Sequence, residues 1–233
     1  MGGNMKNLSR FITAIAVLLL FVPAASADWS DNFDSYSVGD GLHGMGGWAG
    51  WENDPAYDAY VTDVQAYSSP NAVAITPTSD IVQEFDGYVT GEYEMTAWCY
   101  VPGGATGQQY FIMLNKYDPD SVASAAWSVQ LQLDSDAGEA IDYYSGSTLP
   151  LVNDTWVEVK VEIYLDLNTY SLYYDGDFMA SNDWYGTGGS AAIAALDLFS
   201  DGGSNIYWDD CELVQTAIGL EPTTWGSIKT IME

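Results

Sequence analysis

Apolar and polar residues alternate along most of this chain with a period of two. "EYEMTAWCYVP" (92–102) sets Tyr93, Met95, Ala97, Cys99 and Val101 against Glu92, Glu94, Thr96, Trp98 and Tyr100. "AWSVQLQLD" (126–134) sets Trp127, Val129, Leu131 and Leu133 against Ser128, Gln130, Gln132 and Asp134. In "WVEVKVEIYLDL" (156–167), Val157, Val159, Val161, Ile163 and Leu165 oppose Glu158, Lys160 and Glu162. Successive strand side chains point to opposite faces, so each run predicts a strand with one buried and one wet face. Shorter runs at 72–77, 81–85, 109–115, 192–200 and 206–213 predict further strands. "TYSLYYDGDFMAS" (169–181) predicts a hairpin about Asp175-Gly176, a pair suited to a turn whose two central residues both need positive φ. No long segment carries a helical period. Roughly ten strands with Gly, Pro, Asn and Asp turns predict an all-β fold of two antiparallel sheets.

One strand breaks its own alternation. In "IYWDDCEL" (206–213), Ile206 and Trp208 share one parity, while Cys211 and Leu213 share the other. Both sets are core residue types. One extra residue at Asp209-Asp210 brings them to the same side, which predicts a β-bulge.

The ends differ from the body. Lys6 and Arg10 precede an apolar run at 11–25 that closes on Ala25-Ser26-Ala27. This is the order of a secretory signal peptide, so residues 1–27 are expected to be removed and the protein exported, secreted or held at the cell surface. The run is shorter than the roughly 20 apolar residues a spanning helix needs, and Pro23 interrupts it. No other segment is long and apolar enough to span a membrane. Residues 28–213 fit one domain. Residues 214–233, with Gly219 and Pro222, read as a short C-terminal tail in which Trp225, Ile228 and Ile231 would share a helix face.

Charge removes whole classes of partner. Without Lys6 and Arg10 the formal net charge of −28 becomes −30. Such a surface repels phosphate backbones and anionic lipid, which argues against nucleic-acid binding. It suits calcium ligation or solubility in a salty medium. Cys99 and Cys211 are the only cysteines. An exported chain permits a disulfide between them, and two buried free thiols are the alternative. A single histidine, His43 in a Gly-rich loop, gives little support to a Ser-His-Asp triad.

Three stretches resemble the concanavalin A-like lectin/glucanase superfamily, including its laminin-G-like members: "WSDNFDSY" (29–36), "NDTWVEVKVEIYLDLNTYSLYYDGDFM" (153–179) and "NIYWDDCEL" (205–213). The resemblance covers nearly all of residues 29–213 and implies a two-sheet antiparallel jelly-roll sandwich. It implies that the first and last strands lie side by side. It further implies a structural Ca²⁺ ligated by Asp31 or Asp34 together with Asp209 or Asp210. The alternative for these aspartates is a solvated bulge without an ion.

The catalytic pattern of the family's glucanases, E-x-D-x-(x)-E on one strand, is missing. In "EAIDYY" (139–144), Glu139 and Asp142 are three apart and point to opposite faces of a strand. Glu92 and Glu94 share a face but lack a third carboxylate. No catalytic residues are therefore assigned. A binding face fits better, because sugar rings pack on aromatic faces while amides and carboxylates bond the hydroxyls. Trp98, Tyr100, Gln130, Gln132 and Asp134 would form such a platform if their strands share the concave sheet, with Tyr110 and Asn115 beside it and Trp48 and Trp51 at its rim. The expected function is a secreted, non-catalytic module that binds an extracellular polysaccharide or other glycan. A secreted glycosidase or lyase and a structural matrix module are the alternatives.

Overall fold

The structure is a computed structural model and describes residues 28–217. The predicted signal segment and residues 218–233 of the predicted tail lie outside the described residues. Fifteen strands form: β1 (Trp29–Asp31), β2 (Trp48–Gly50), β3 (Tyr60–Thr62), β4 (Ala72–Ile75), β5 (Asp80–Glu84), β6 (Glu92–Tyr100), β7 (Gln108–Lys116), β8 (Ala126–Asp134), β9 (Glu139–Asp142), β10 (Thr148–Pro150), β11 (Trp156–Tyr164), β12 (Thr169–Tyr174), β13 (Asp177–Asp183), β14 (Ala195–Asp201) and β15 (Ile206–Ala217). Helix among the described residues is confined to four single-turn 3₁₀ segments. The last strand runs to Ala217, so residues 214–217 belong to the sheet and not to a tail.

The strands make two antiparallel sheets. One has eight strands in the order β13-β12-β11-β6-β15-β4-β3, with β1 also paired to β15. The other has seven, in the order β10-β9-β8-β7-β14-β5-β2. The period-two runs explain the layering. Along β6 and β11 every second residue is buried, and those residues meet the inner face of the seven-stranded sheet in one continuous core. Trp208 of β15 and Phe111 of β7 cross this interface with ring centroids 5.6 Å apart. The charged face of β11 looks outward, where Lys160 bridges Glu162 at 2.9 Å and Glu94 at 3.6 Å. The hairpin turns at Asp175 and Gly176, both at positive φ, 51° and 80°.

The bulge is present where the parity clash predicts it. Asp209 pairs with Trp98 but Glu212 pairs with Thr96, so three steps on β15 match two on β6. Asp210 takes up the extra residue at φ 42°. Ile206, Trp208, Cys211 and Leu213 are all fully buried as a result. The bulge also divides the strand between two neighbours. Residues before it pair with β4 and residues after it pair with β1, so the first and last strands do lie side by side.

The disulfide does not form. Cys99 and Cys211 are both free, buried thiols, and burial pushes both well above the usual thiol range. Register gives the reason. Cys99 pairs with Trp208, and the bulge carries Cys211 past that position. Diagonal neighbours in a sheet lie about 7–8 Å apart, beyond the usual disulfide span. Ellman titration of the unfolded, unreduced protein is expected to count both thiols. A count of zero would restore the bridge.

Candidate functional site

The sheet register assembles a groove on the outer face of the seven-stranded sheet. Gln130, Ile112, Asp197 and Val82 form one cross-strand row over β8, β7, β14 and β5. Gln132, Tyr110, Phe199 and Asp80 form the next row. Unlike the outer face of β11, this face is apolar. Val82, Ile112, Leu114 and Ala195 are buried there in a second hydrophobic cluster, against Trp51, Tyr110, Tyr117 and Phe199. Trp51, Trp127, Tyr110, Tyr143 and Phe199 wall a groove of about 390 Å³, with Asp80, Asp197, Ile112 and Gln130 in its lining.

The aromatic walls are held in place. Tyr110 and Phe199 stack at 5.5 Å, and Trp51 stacks on Trp127 at 6.5 Å. The turn that carries Trp51 has two successive non-glycine residues at positive φ, Glu52 at 59° and Asn53 at 56°. Such backbone is strained and persists only where its surroundings fix it. Two hydrogen bonds fix it here. The Glu52 N–H donates to Tyr117 Oη and the Gly50 N–H donates to His43 Nδ1, while Gly50 leaves room for the Asp54 carbonyl oxygen, which a Cβ there would meet. His43 is thus engaged in loop structure. On the far side, Gln130 donates to Tyr144 Oη, which donates in turn to the Trp127 carbonyl. Trp127 and Tyr143 remain 41% and 62% exposed, so their rings are open to a ligand.

Two carboxyls face this groove. Asp197 is 3% exposed; the two carboxyls, Asp80 and Asp197, are hydrogen-bonded to each other, and no other protein donor reaches the buried Oδ1 of either. Burial raises Asp80 to about 6, with the hydrogen bond from Asp197 opposing the rise and the Glu52 charge adding to it. Asp197 is raised well above the usual carboxyl range, first by burial and then by the charge of Asp80. Two like charges this close in an apolar setting do not both ionise readily, so burial and mutual repulsion favour a proton shared by the pair.

The predicted platform is divided between the sheets. Tyr110 and Gln130 do line the groove. Trp98 and Tyr100 lie on β6, in the other sheet, so the condition for a single platform fails. Trp98 is covered by Tyr67 at 3.8 Å, and Tyr100 packs against Trp156 and Tyr207. Gln132 stands beside Tyr110 but donates to Asp134, whose other oxygen accepts the Asp136 and Ala137 N–H groups and fixes the β8–β9 turn. Asn115 is buried, donating to Ser128 Oγ and the Trp184 carbonyl and accepting from the Ser190 N–H. At the predicted rim, Trp51 reaches the groove, while Trp48 is buried in the main core.

The predicted calcium ligands also have protein partners. Asp31 accepts from Tyr36 Oη, Trp48 Nε1 and the Phe33 N–H. Asp34 accepts from the Asn71 N–H and Asn32 Nδ2. Asp209 accepts from the Tyr67, Ser68 and Asp210 N–H groups, and Asp210 accepts from Ser68 Oγ. Among the described residues, no group of three or more His, Cys, Asp or Glu side chains is arranged to hold a metal. Each of the four aspartates thus holds a protein donor, and Asp210 does so through Oδ1 alone. Beside them lies a wider cleft of about 840 Å³ on the eight-stranded sheet, lined by Asp31, Glu94, Glu158, Asp210 and Glu212. Trp29, Tyr36 and the predicted Trp98 also line this larger hollow, but no buried carboxyl oxygen without a protein donor does.

Sequence reasoning missed Asp80 and Asp197. A signal was present: Asp197 is the one charged residue within the apolar run "AIAALDLFS" (192–200). Buried carboxyls in apolar runs are rare enough to mark functional candidates.

No protein-family model matches this chain, and no curated protein matches it in sequence. Solved structures do. A sialidase superposes with a TM-score of 0.56 at 12% identity, over 82% of this chain and 19% of its own. Cellulose-induced protein Cip1 matches over 83% of this chain and 100% of its own, with a TM-score of 0.49 and 14% identity. The alginate lyase Aly36B matches over 84% and 99%, with a TM-score of 0.49 and 16% identity. At such identities the likeness concerns architecture and leaves activity open. Two antiparallel sheets, a closing strand beside the opening one and the likeness to the sialidase structure give the chain the concanavalin A-like lectin/glucanase fold.

Proposed function

We propose that this protein is an exported, non-catalytic module that binds a polysaccharide through the groove on its seven-stranded sheet. The supporting observation is the set of open aromatic walls, Trp127 and Tyr143 above all, over a floor with polar groups at fixed positions. Sugar rings present apolar C–H faces to such walls and hydroxyls to such a floor. The strained Trp51 turn supports the same reading, because strain gathers where side-chain placement serves a ligand.

Pull-down on insoluble polysaccharides, followed by calorimetry with soluble oligomers, tests the proposal. Trp127→Ala is expected to weaken binding about tenfold or more. Its melting temperature should move little, since the ring is partly exposed. Binding that is unchanged in both Trp127→Ala and Trp51→Ala would move the site elsewhere. Paired carboxyls also occur in glycan-cleaving sites, so reducing ends are measured in the same samples. Release that vanishes in Asp197→Asn would make the module an enzyme.

A further inference from the structure

The Asp80–Asp197 pair has no explanation in the fold. Both side chains stand on the outer face of central strands, among Val82, Ile112 and Phe199. Neither pairs with a Lys or Arg among the described residues, and neither Oδ1 accepts a backbone N–H. An apolar pair would pack there without the cost of burying charge. Buried oxygens that no other protein donor reaches call for an explanation, and a ligand that donates to them is one. Asp197 meets this description most fully, since it is almost wholly buried and still lines the groove.

The charge around the pair narrows the ligand. No Lys, Arg or His lines the groove. Lys160 is on the other sheet, held by Glu94 and Glu162. Lys116 ends β7 and is exposed. Glu52, Glu84 and Asp118 lie around the groove and act on one another or on the pair as charges of the same sign. A sugar carrying a carboxylate would add a further negative charge at this floor, with no base to receive it. An uncharged sugar brings hydroxyl donors and apolar ring faces, and both are matched.

Building on the glycan-binding reading, we propose that the Asp80–Asp197 pair makes the groove selective for uncharged pyranose polymers. The buried carboxyl oxygens accept sugar hydroxyls, and the negative floor turns uronate and sialate polymers away.

The test compares three oligosaccharides of equal length by calorimetry at neutral pH and moderate salt: a glucose oligomer, a uronate oligomer and a glucosamine oligomer. The wild type is expected to bind the glucose oligomer at least about tenfold tighter than the uronate oligomer, the span of one charge-assisted hydrogen bond. In Asp80→Asn/Asp197→Asn that ratio should fall by about tenfold, through weaker glucose binding, gained uronate binding, or both. Circular dichroism establishes that the variant is folded, and the wild-type ratio stands as a test even if it is not. Uronate binding equal to or tighter than glucose binding in the wild type would overturn the proposal. So would glucosamine binding weaker than uronate binding, which a negative floor forbids, or a ratio unchanged in a folded variant. Failure of all three oligomers to bind would instead remove the glycan reading of the groove, and the selectivity with it.

Discussion

Deleting Asp210 is expected to leave the protein folded, with all four core residues of β15 still facing inward. The residue is the extra step in the pairing of β15 with β6. Without it Cys211 and Leu213 move one position along the strand and take the parity of Ile206 and Trp208, so the pairing becomes regular. All four are fully buried, and none leaves the core. The loss is confined to the bulge itself: the bond from Ser68 Oγ and the local bend by which the strand passes from β4 to β1. A cost of about 1–3 kcal/mol is expected, a fraction of a domain's stability of about 5–15 kcal/mol. Substitution separates the backbone role from the carboxylate. Asp210→Gly suits the positive φ and loses only the bond from Ser68 Oγ, so it should cost less than about 1.5 kcal/mol. Asp210→Val puts a β-branched residue at that φ and should cost more. Urea unfolding monitored by tryptophan fluorescence gives the order. A deletion variant that does not fold would refute the reading of Asp210 as the one excess residue in this register.

Asp197→Asn is expected to stabilise the protein in mildly alkaline buffer and much less in acid. Both carboxyls of the groove pair are raised in the folded state, Asp80 to about 6 and Asp197 well above its ordinary 3.8. The folded protein therefore keeps a proton that the unfolded chain releases, and stability falls as pH rises from near the unfolded value through the raised ones. The loss begins near pH 4, continues past 6 and ends above the raised value of Asp197. Asparagine cannot ionise, so the variant retains at pH 8 what the wild type has only in acid. Its amide also offers Asp80 a donor. A gain of about 1–3 kcal/mol at pH 8 corresponds to a few degrees per kcal/mol in melting temperature for a domain of this size. Asp209, raised to about 6 mainly by burial, contributes a slope common to both proteins and cancels in the difference. Scanning calorimetry at pH 4 and pH 8 reads the effect. An equal gain at both pH values would point to packing, and a loss at pH 8 would show that the charged pair is not a burden. If Asp197→Asn gains stability while the double asparagine variant loses its preference for uncharged sugars, the pair is a functional feature held against stability.

Much of the core was legible from local pattern. Val157 to Leu165 could be assigned inward without any neighbour, because β geometry alone sends alternate side chains to opposite faces. The Asp175-Gly176 turn followed from the φ those residues tolerate. Even the bulge followed locally, from two parity sets that could not both be buried on a regular strand. Several short strands, β2, β3, β9 and β10 among them, were not legible, since three or four residues leave too little alternation to count.

The groove was legible only in part. Tyr110 and Gln130 do face outward and line one groove, whereas Trp98 and Tyr100, expected beside them, stand on the other sheet. Alternation states which side of a strand a residue occupies and says nothing of which sheet the strand enters. β6 and β8 read alike, yet β6 lies between β11 and β15 while β8 lies between β7 and β9. The same limit hid the Asp80–Asp197 pair, whose members are far apart in the chain and meet through the pairing of β5 with β14. Likewise Cys99 and Cys211 were correctly placed on paired strands and wrongly joined, because a bond depends on register to within a residue. The sequence by itself determined which residues face inward, where the last strand must bulge and how acidic the surface is, since each follows from local geometry or from composition. Only the tertiary structure decided which strands are neighbours and in what register, because those depend on contacts between residues far apart in the chain, and the groove with its paired carboxyls is a product of that register.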